Sequence, residues 1–290
     1  MSLRLSLTAL LLAIAAAGCA RMVVGPALSS LNGAAVAAVA PWGRSADLPS
    51  RSEVAAGQLL IHADFPLAVQ HRLVRELETL RIDVSQTLGL PVSDEPVHLY
   101  LFENPQRYDA FVARHFPAFP QRRAFFIETD TTLAVFAAWQ ERVAEDLRHE
   151  TTHGYVHAVV PGIRLWLDEG IAEYFEVPRS EQGVHAMHVA HLAGRLIEGT
   201  WQPDLARLEA ITDAGALTQD HYAEAWCWAH WLLQTTPERR RLLQDHLADV
   251  RREGAAAVPL SLRLRHDATM PTDLSAAIRE HVEALARAAN

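Results

Sequence analysis

Residues 148–176 read RHETTHGYVHAVVPGIRLWLDEGIAEYFE, and two patterns inside this stretch decide how the rest of the chain is read. His149 and His153 stand four apart, so on a helix both imidazoles lie on one face, one turn above the other. Glu150 follows the first histidine directly. Two imidazoles so placed can bind one divalent ion, with Glu150 leaning toward the water that would attack a substrate. In a chain with 15 histidines this spacing alone is only moderately informative. The second pattern, LWLDEGIAEYFE (165–176), follows across a short connection containing Pro161 and Gly162. The two together are far more specific than either alone.

HExxH followed by WLxEGxAxYxE resembles the gluzincin zinc metallopeptidases, the thermolysin and alanyl-aminopeptidase side of the zincins. Within that group the peptidase-MA-like domain is most similar. The resemblance covers about Leu59 to Leu247 and is strongest over His149–Glu176. It implies a zincin-like α+β fold, a peptide or protein substrate, and one Zn²⁺ per chain. The Glu before Gly is the third zinc ligand in that family and maps onto Glu169, completing a set with His149 and His153; Glu150 takes the place of the general base. Fifteen residues separate His153 from Glu169, fewer than in thermolysin or the alanyl aminopeptidases. Glu173, one turn beyond Glu169, is the rival ligand, and otherwise suits a carboxylate that holds a ligating imidazole from outside. Asp168 is a weaker choice for that task, its alternative being solvent or a helix start. His157 continues the four-residue series, either as a further ligand or as a helix-face histidine. The metzincin branch would require Gly and His where Val156 and Val159 stand.

In the alanyl aminopeptidases a tyrosine opens a downstream helix and supports the oxyanion. Tyr222, opening HYAEAWCWAHWLL, matches it locally; the alternative is that Tyr222 begins the apolar stripe of Trp226, Ala229 and Leu233. His221 and His230 are the fallback donors. No G-x-M-x-N signature precedes the HExxH pattern, which favours endopeptidase over aminopeptidase action. His185, His188 and His191 are expected to line a solvated helix face, where they could also trap adventitious metal.

Outward from this centre, VHLYLFE (97–103) and GQLLIHADF read as strands and Gln106–His115 as a short helix. Leu73, Leu77, Leu80 and Val84 mark a long amphipathic helix over Pro66–Leu88. RAFFIET and TLAVFAAW flank Asp130 as a hairpin, and Thr132–Ala138 could supply an edge strand for an extended peptide. Beyond Glu141 almost everything is helical. Strands gathered first and helices afterwards imply an α+β chain: a sheet lobe over about 54–160 and a helical lobe over about 161–290.

The first 18 residues carry one charge at Arg4 and an apolar run from Leu5 to Ala17. As a helix this run rises about 20 Å, short of the ~30 Å hydrocarbon core, so it reads as an export signal rather than a permanent span. Ala16-Ala17-Gly18-Cys19 resembles a bacterial lipobox, which implies lipid on Cys19 and anchoring on the periplasmic side of a membrane; without that lipid the protein is simply secreted. Residues 19–53, rich in Ala, Gly, Ser and Pro, are read as a tether.

All 26 basic residues are arginine, which excludes a P-loop lysine and Schiff-base chemistry. A net charge of −9 gives no footprint for nucleic acid. There is no G-x-S-x-G elbow, and Cys227, inside an apolar WCW, reads as a buried structural thiol. The main alternative to a zinc peptidase is a non-catalytic zincin-fold lipoprotein that binds or assembles envelope components. A zinc hydrolase acting on something other than peptides shares the same metal chemistry.

Overall fold

The computed structural model describes the backbone of Met22–Val23 and residues 46–289. Cys19, the apolar leader and most of the tether therefore lie outside the described residues. The strands are β1 Met22–Val23, β2 Ser52–Ala56, β3 Leu59–Ala63, β4 Val97–Phe102, β5 Ala124–Thr129 and β6 Thr132–Ala138. Helices α1 Arg72–Leu88 and α2 Pro105–His115 lie among them. Eight more follow: α3 Val143–His157, α4 Leu165–Glu176, α5 Ala186–Ile197, α6 Leu205–Glu209, α7 Gln219–Gln234, α8 Pro237–Glu253, α9 Leu260–His266 and α10 Leu274–Ala288.

The sheet is mixed, in the order β5-β6-β4-β3-β2, with two-residue β1 pairing parallel to β5 at Ile127 and Glu128. Alternation buries one face of β2, β3 and most of β4, whereas β5 and β6 are buried on both faces. Leu59, Ile61, Val97, Leu99, Phe126 and Val135 point to the main core with α1 and α3. Phe102, Phe125, Ile127 and Phe136 point the other way, onto Tyr108 and Phe111 of α2.

Thr129 pairs with Thr132, so Asp130 does sit in a tight hairpin. That hairpin corrects one expectation: Thr132–Ala138 is not an edge strand. It is paired on both sides, parallel to β4 and antiparallel to β5, and two-residue β1 lies beyond β5. The first long helix also starts later than Pro66. The Ser52 hydroxyl donates to the Phe65 carbonyl and accepts the Leu67 amide, pinning that segment to β2, and His71 caps α1 by accepting the Leu73 amide. The packed body begins earlier than Val54: Leu48 is buried in the second core and Asp47 pairs with Arg114 and His115.

Two glycines let the central helices close up. A Cβ at Gly154 of α3 would lie 2.7 Å from the Val97 side chain of β4, and one at Gly170 of α4 would lie 2.5 Å from the Ala225 carbonyl oxygen of α7. Both contacts are below van der Waals distance, so only glycine allows α3 to lie on the sheet and α4 on α7 at this spacing. No helix among the described residues is long and apolar enough to cross a membrane.

Candidate metal centre

Helix α3 is buried along nearly its whole length, including its polar residues. Thr151 and Thr152 resolve their own burial by donating to the carbonyls of Leu147 and Arg148, one turn back. The helix can thus present His149 and His153 to α4 without leaving hydroxyls stranded.

Glu169 comes from the facing helix. Its Oε2 lies 3.5 Å from His149 Nε2 and 3.8 Å from His153 Nε2, with the two imidazole centroids 5.0 Å apart. One ligand atom from each of the three residues falls within 4.8 Å of the others. Glu169 is fully buried, and neither its carboxylate oxygens nor His153 Nε2 has a hydrogen-bond partner among the described residues. An ionised carboxylate so placed costs several kcal/mol unless a cation meets it.

The outer nitrogens of both rings are held by carboxylates. His149 Nδ1 lies 2.9 Å from Glu176 Oε2, and His153 Nδ1 lies 3.0 Å from Asp168 Oδ1. An ionised carboxylate only accepts, so each Nδ1 donates, and in a neutral ring this leaves the Nε2 lone pair facing Glu169. Asp168 also takes His157 Nε2 at 2.9 Å, while His157 Nδ1 reaches Glu128 of β5 at 2.7 Å. Both nitrogens of the His157 ring thus face carboxylates. Burial would raise the Asp168 pKa, but the His153 and His157 rings outweigh it and hold the carboxyl well below the usual range. Burial likewise opposes ionisation of Glu176, and the hydrogen bonds from His149 and His185 prevail, leaving it strongly lowered.

These contacts relocate several expected roles. His157 spends both nitrogens on carboxylates and offers the centre no lone pair. Glu173 does not hold a ligating imidazole; its carboxylate meets His188 Nε2 at 2.8 Å, and burial, reinforced by the nearby Glu176 charge, pushes its pKa up to about 8. The imidazole-holding carboxylates are instead Asp168 and Glu176. Spacings of i, i+4 and i+7 place Glu169, Glu173 and Glu176 on one face of α4, a signal that would have found Glu176. His185 and His188 do not face solvent. Helix α5 packs on α7 so that His188 is buried beside Trp226, and the His185 and His188 rings stack with centroids 3.9 Å apart. His191 turns away to Asp220.

Tyr222 is buried in the first turns of α7. Gly170 meets Ala225 and, further along both helices, Tyr174 meets His230, so α4 and α7 run side by side in one direction. Tyr222, one turn before Ala225, is therefore level with the start of α4. The fallback donors are engaged elsewhere: His221 accepts the Thr218 amide in the α7 capping box, and His230 pairs with His281 at 2.9 Å. Cys227 is buried in apolar surroundings that push its thiol pKa far up.

The arrangement can hold one divalent cation. Neither a scan against protein-family models nor a search of curated proteins finds a match for the chain.

Proposed function

We propose that the chain is a zinc-dependent metallopeptidase of gluzincin type, acting outside the cytoplasm and more as an endopeptidase than an aminopeptidase. One observation carries this reading: the Nε2 atoms of His149 and His153 converge with the buried Glu169 carboxylate, and Glu150 directly follows His149 in α3. Ligands 2.0–2.1 Å from a tetrahedral zinc stand roughly 3.3 Å from each other. The His–Glu169 separations of 3.5 and 3.8 Å are close to that spacing. Two histidines, one carboxylate and an open fourth position make the donor set of a catalytic rather than a structural zinc.

Zinc bound there supplies Lewis-acid polarisation of the scissile carbonyl and of the attacking water. The chain's own groups do the rest. Glu150 accepts the water proton on its carboxylate and delivers it to the leaving amine nitrogen. Asp168 and Glu176 hold the two imidazoles in the tautomer that frees Nε2. The Tyr222 hydroxyl, a donor at neutral pH, is assigned to the developing oxyanion; Tyr222→Phe should lower kcat by ~10²-fold, and an undiminished rate would move that task elsewhere. In a zincin-like arrangement an extended peptide adds to a sheet strand beside the site, and the candidate here is the part of β5 that precedes its pairing with β1 at Ile127 and Glu128.

A peptide-library digest by the purified protein, with and without chelator, tests the reading. Internal cleavages that vanish with chelator and return with zinc support it. Stoichiometric zinc without hydrolysis of any peptide would favour a binding module.

Export and anchoring belong to the same proposal and rest on residues 1–19 alone. Mass spectrometry of the processed protein should find acylated Cys19 as the first residue. A different free N-terminus without acyl mass would leave simple secretion.

A further inference from the structure

We propose that His185, the residue that caps α5, is a positioning residue for the metal centre: acting through Glu176, it fixes the tautomer in which His149 presents Nε2 to the ion. This inference rests on the metal-centre reading above and extends it to a helix outside both sequence patterns.

Hydrogen-bond directions link the α5 cap to the metal centre. His185 Nδ1 lies 3.3 Å from the backbone nitrogen of His188 and caps α5. A backbone N–H can only donate, so this Nδ1 carries no proton and the ring proton sits on Nε2. His185 Nε2 lies 2.7 Å from Glu176 Oε1 and therefore donates to it. The other oxygen of Glu176 faces His149 Nδ1 at 2.9 Å. The two oxygens of Glu176 thus each take one donor, His185 Nε2 at Oε1 and His149 Nδ1 at Oε2, and a neutral His149 ring so held has its lone pair on Nε2. Arg148 adds to this by donating to the Glu176 backbone carbonyl, which secures the end of α4.

The same directions remove a competing assignment. Ligand atoms of Glu173, His185 and His188 also lie within 4.8 Å of one another and resemble a second metal site. His185 cannot offer an Nε2 lone pair there while its Nδ1 accepts the α5 cap, so the group is a hydrogen-bonded support. The two ligand histidines are thus backed differently. His153 is backed by Asp168, which the His157 side chain grips; His149 is backed by Glu176, whose alignment depends on how α5 begins.

Two substitutions separate the cap from the relay. His185→Asn keeps a good capping acceptor near the position of Nδ1 but has no donor that reaches Glu176. His185→Gln places an amide donor near the position of Nε2 and is a poor cap. We expect His185→Asn to keep the wild-type Tm, to bind zinc ~10- to 100-fold more weakly in chelator competition, and to show an altered visible spectrum when loaded with Co²⁺. His185→Gln should bind zinc within a few-fold of wild type but melt at a lower temperature. Zinc affinity that follows Tm in both variants, or an unchanged affinity and Co²⁺ spectrum in His185→Asn, overturns the inference. Histidine ¹⁵N spectra of the metal-free wild type provide a further arm, in which His185 should be protonated at Nε2 and His149 at Nδ1. The opposite tautomer at His149 also overturns it. Failure of the wild type to bind zinc would sink the metal-centre reading instead, while the metal-free spectra still decide the relay.

Discussion

Glu150→Gln is expected to bind as much zinc as the wild type, to melt at nearly the same temperature, and to lose ~10²- to 10⁴-fold in turnover, the range for removing a general base. The substitution keeps the shape of a side chain that is buried in α3 between Thr151 and the ligand His149. It leaves His149, His153 and Glu169 untouched. What disappears is the ability to accept a proton, because an amide oxygen is a far weaker base than a carboxylate. Initial rates on a cleaved library peptide, with metal analysis of the same samples, check both halves. A variant that retains a substantial fraction of the wild-type rate would remove Glu150 from the mechanism.

Asp168→Ala should be the most damaging change outside the ligand set. Both oxygens of this buried carboxylate accept from imidazoles, His153 at 3.0 Å and His157 at 2.9 Å. Alanine leaves both ring nitrogens without their buried partner and leaves the His157 ring with Glu128 as its remaining carboxylate. Breaking a buried pair in this way costs ~3–5 kcal/mol, and loss of a carboxylate behind a ligand imidazole weakens metal binding by ~10- to 100-fold. Denaturant titration and chelator competition measure the two effects separately. Lost stability with unchanged zinc affinity would mean that Asp168 supports only the packing of α3 against α4.

Much of this architecture was legible because it rests on local periodicity. The alternation in VHLYLFE and the hairpin around Asp130 need no long-range information, and the four-residue spacing of His149 and His153 specifies a shared helix face by itself. What was not legible depends on pairing between distant segments. Nothing in Thr132–Ala138 announces that β4 will take its second edge and place it inside the sheet. The triplet His185, His188 and His191 looks amphipathic and polar on its own. Only the approach of α5 to α4 and α7 turns the first two histidines inward, onto Glu176 and Glu173. The Glu173 role was misplaced for a related reason: three acidic residues on one face of α4 compete for imidazoles, and the winner is set by side-chain reach across a helix pair. Residues such as Gly170 lie between these cases. The sequence shows where the glycine is, and only the Ala225 carbonyl of α7 shows why a side chain is excluded there.

The central claim, a single metal centre built from His149, His153 and Glu169, is tested most directly by the zinc content per chain of Glu169→Ala and Glu173→Ala beside the wild type. The account predicts one zinc in the wild type, one in Glu173→Ala and none in Glu169→Ala. A Glu169→Ala protein that keeps its full zinc while Glu173→Ala loses it, or a wild type that takes up none, would contradict it.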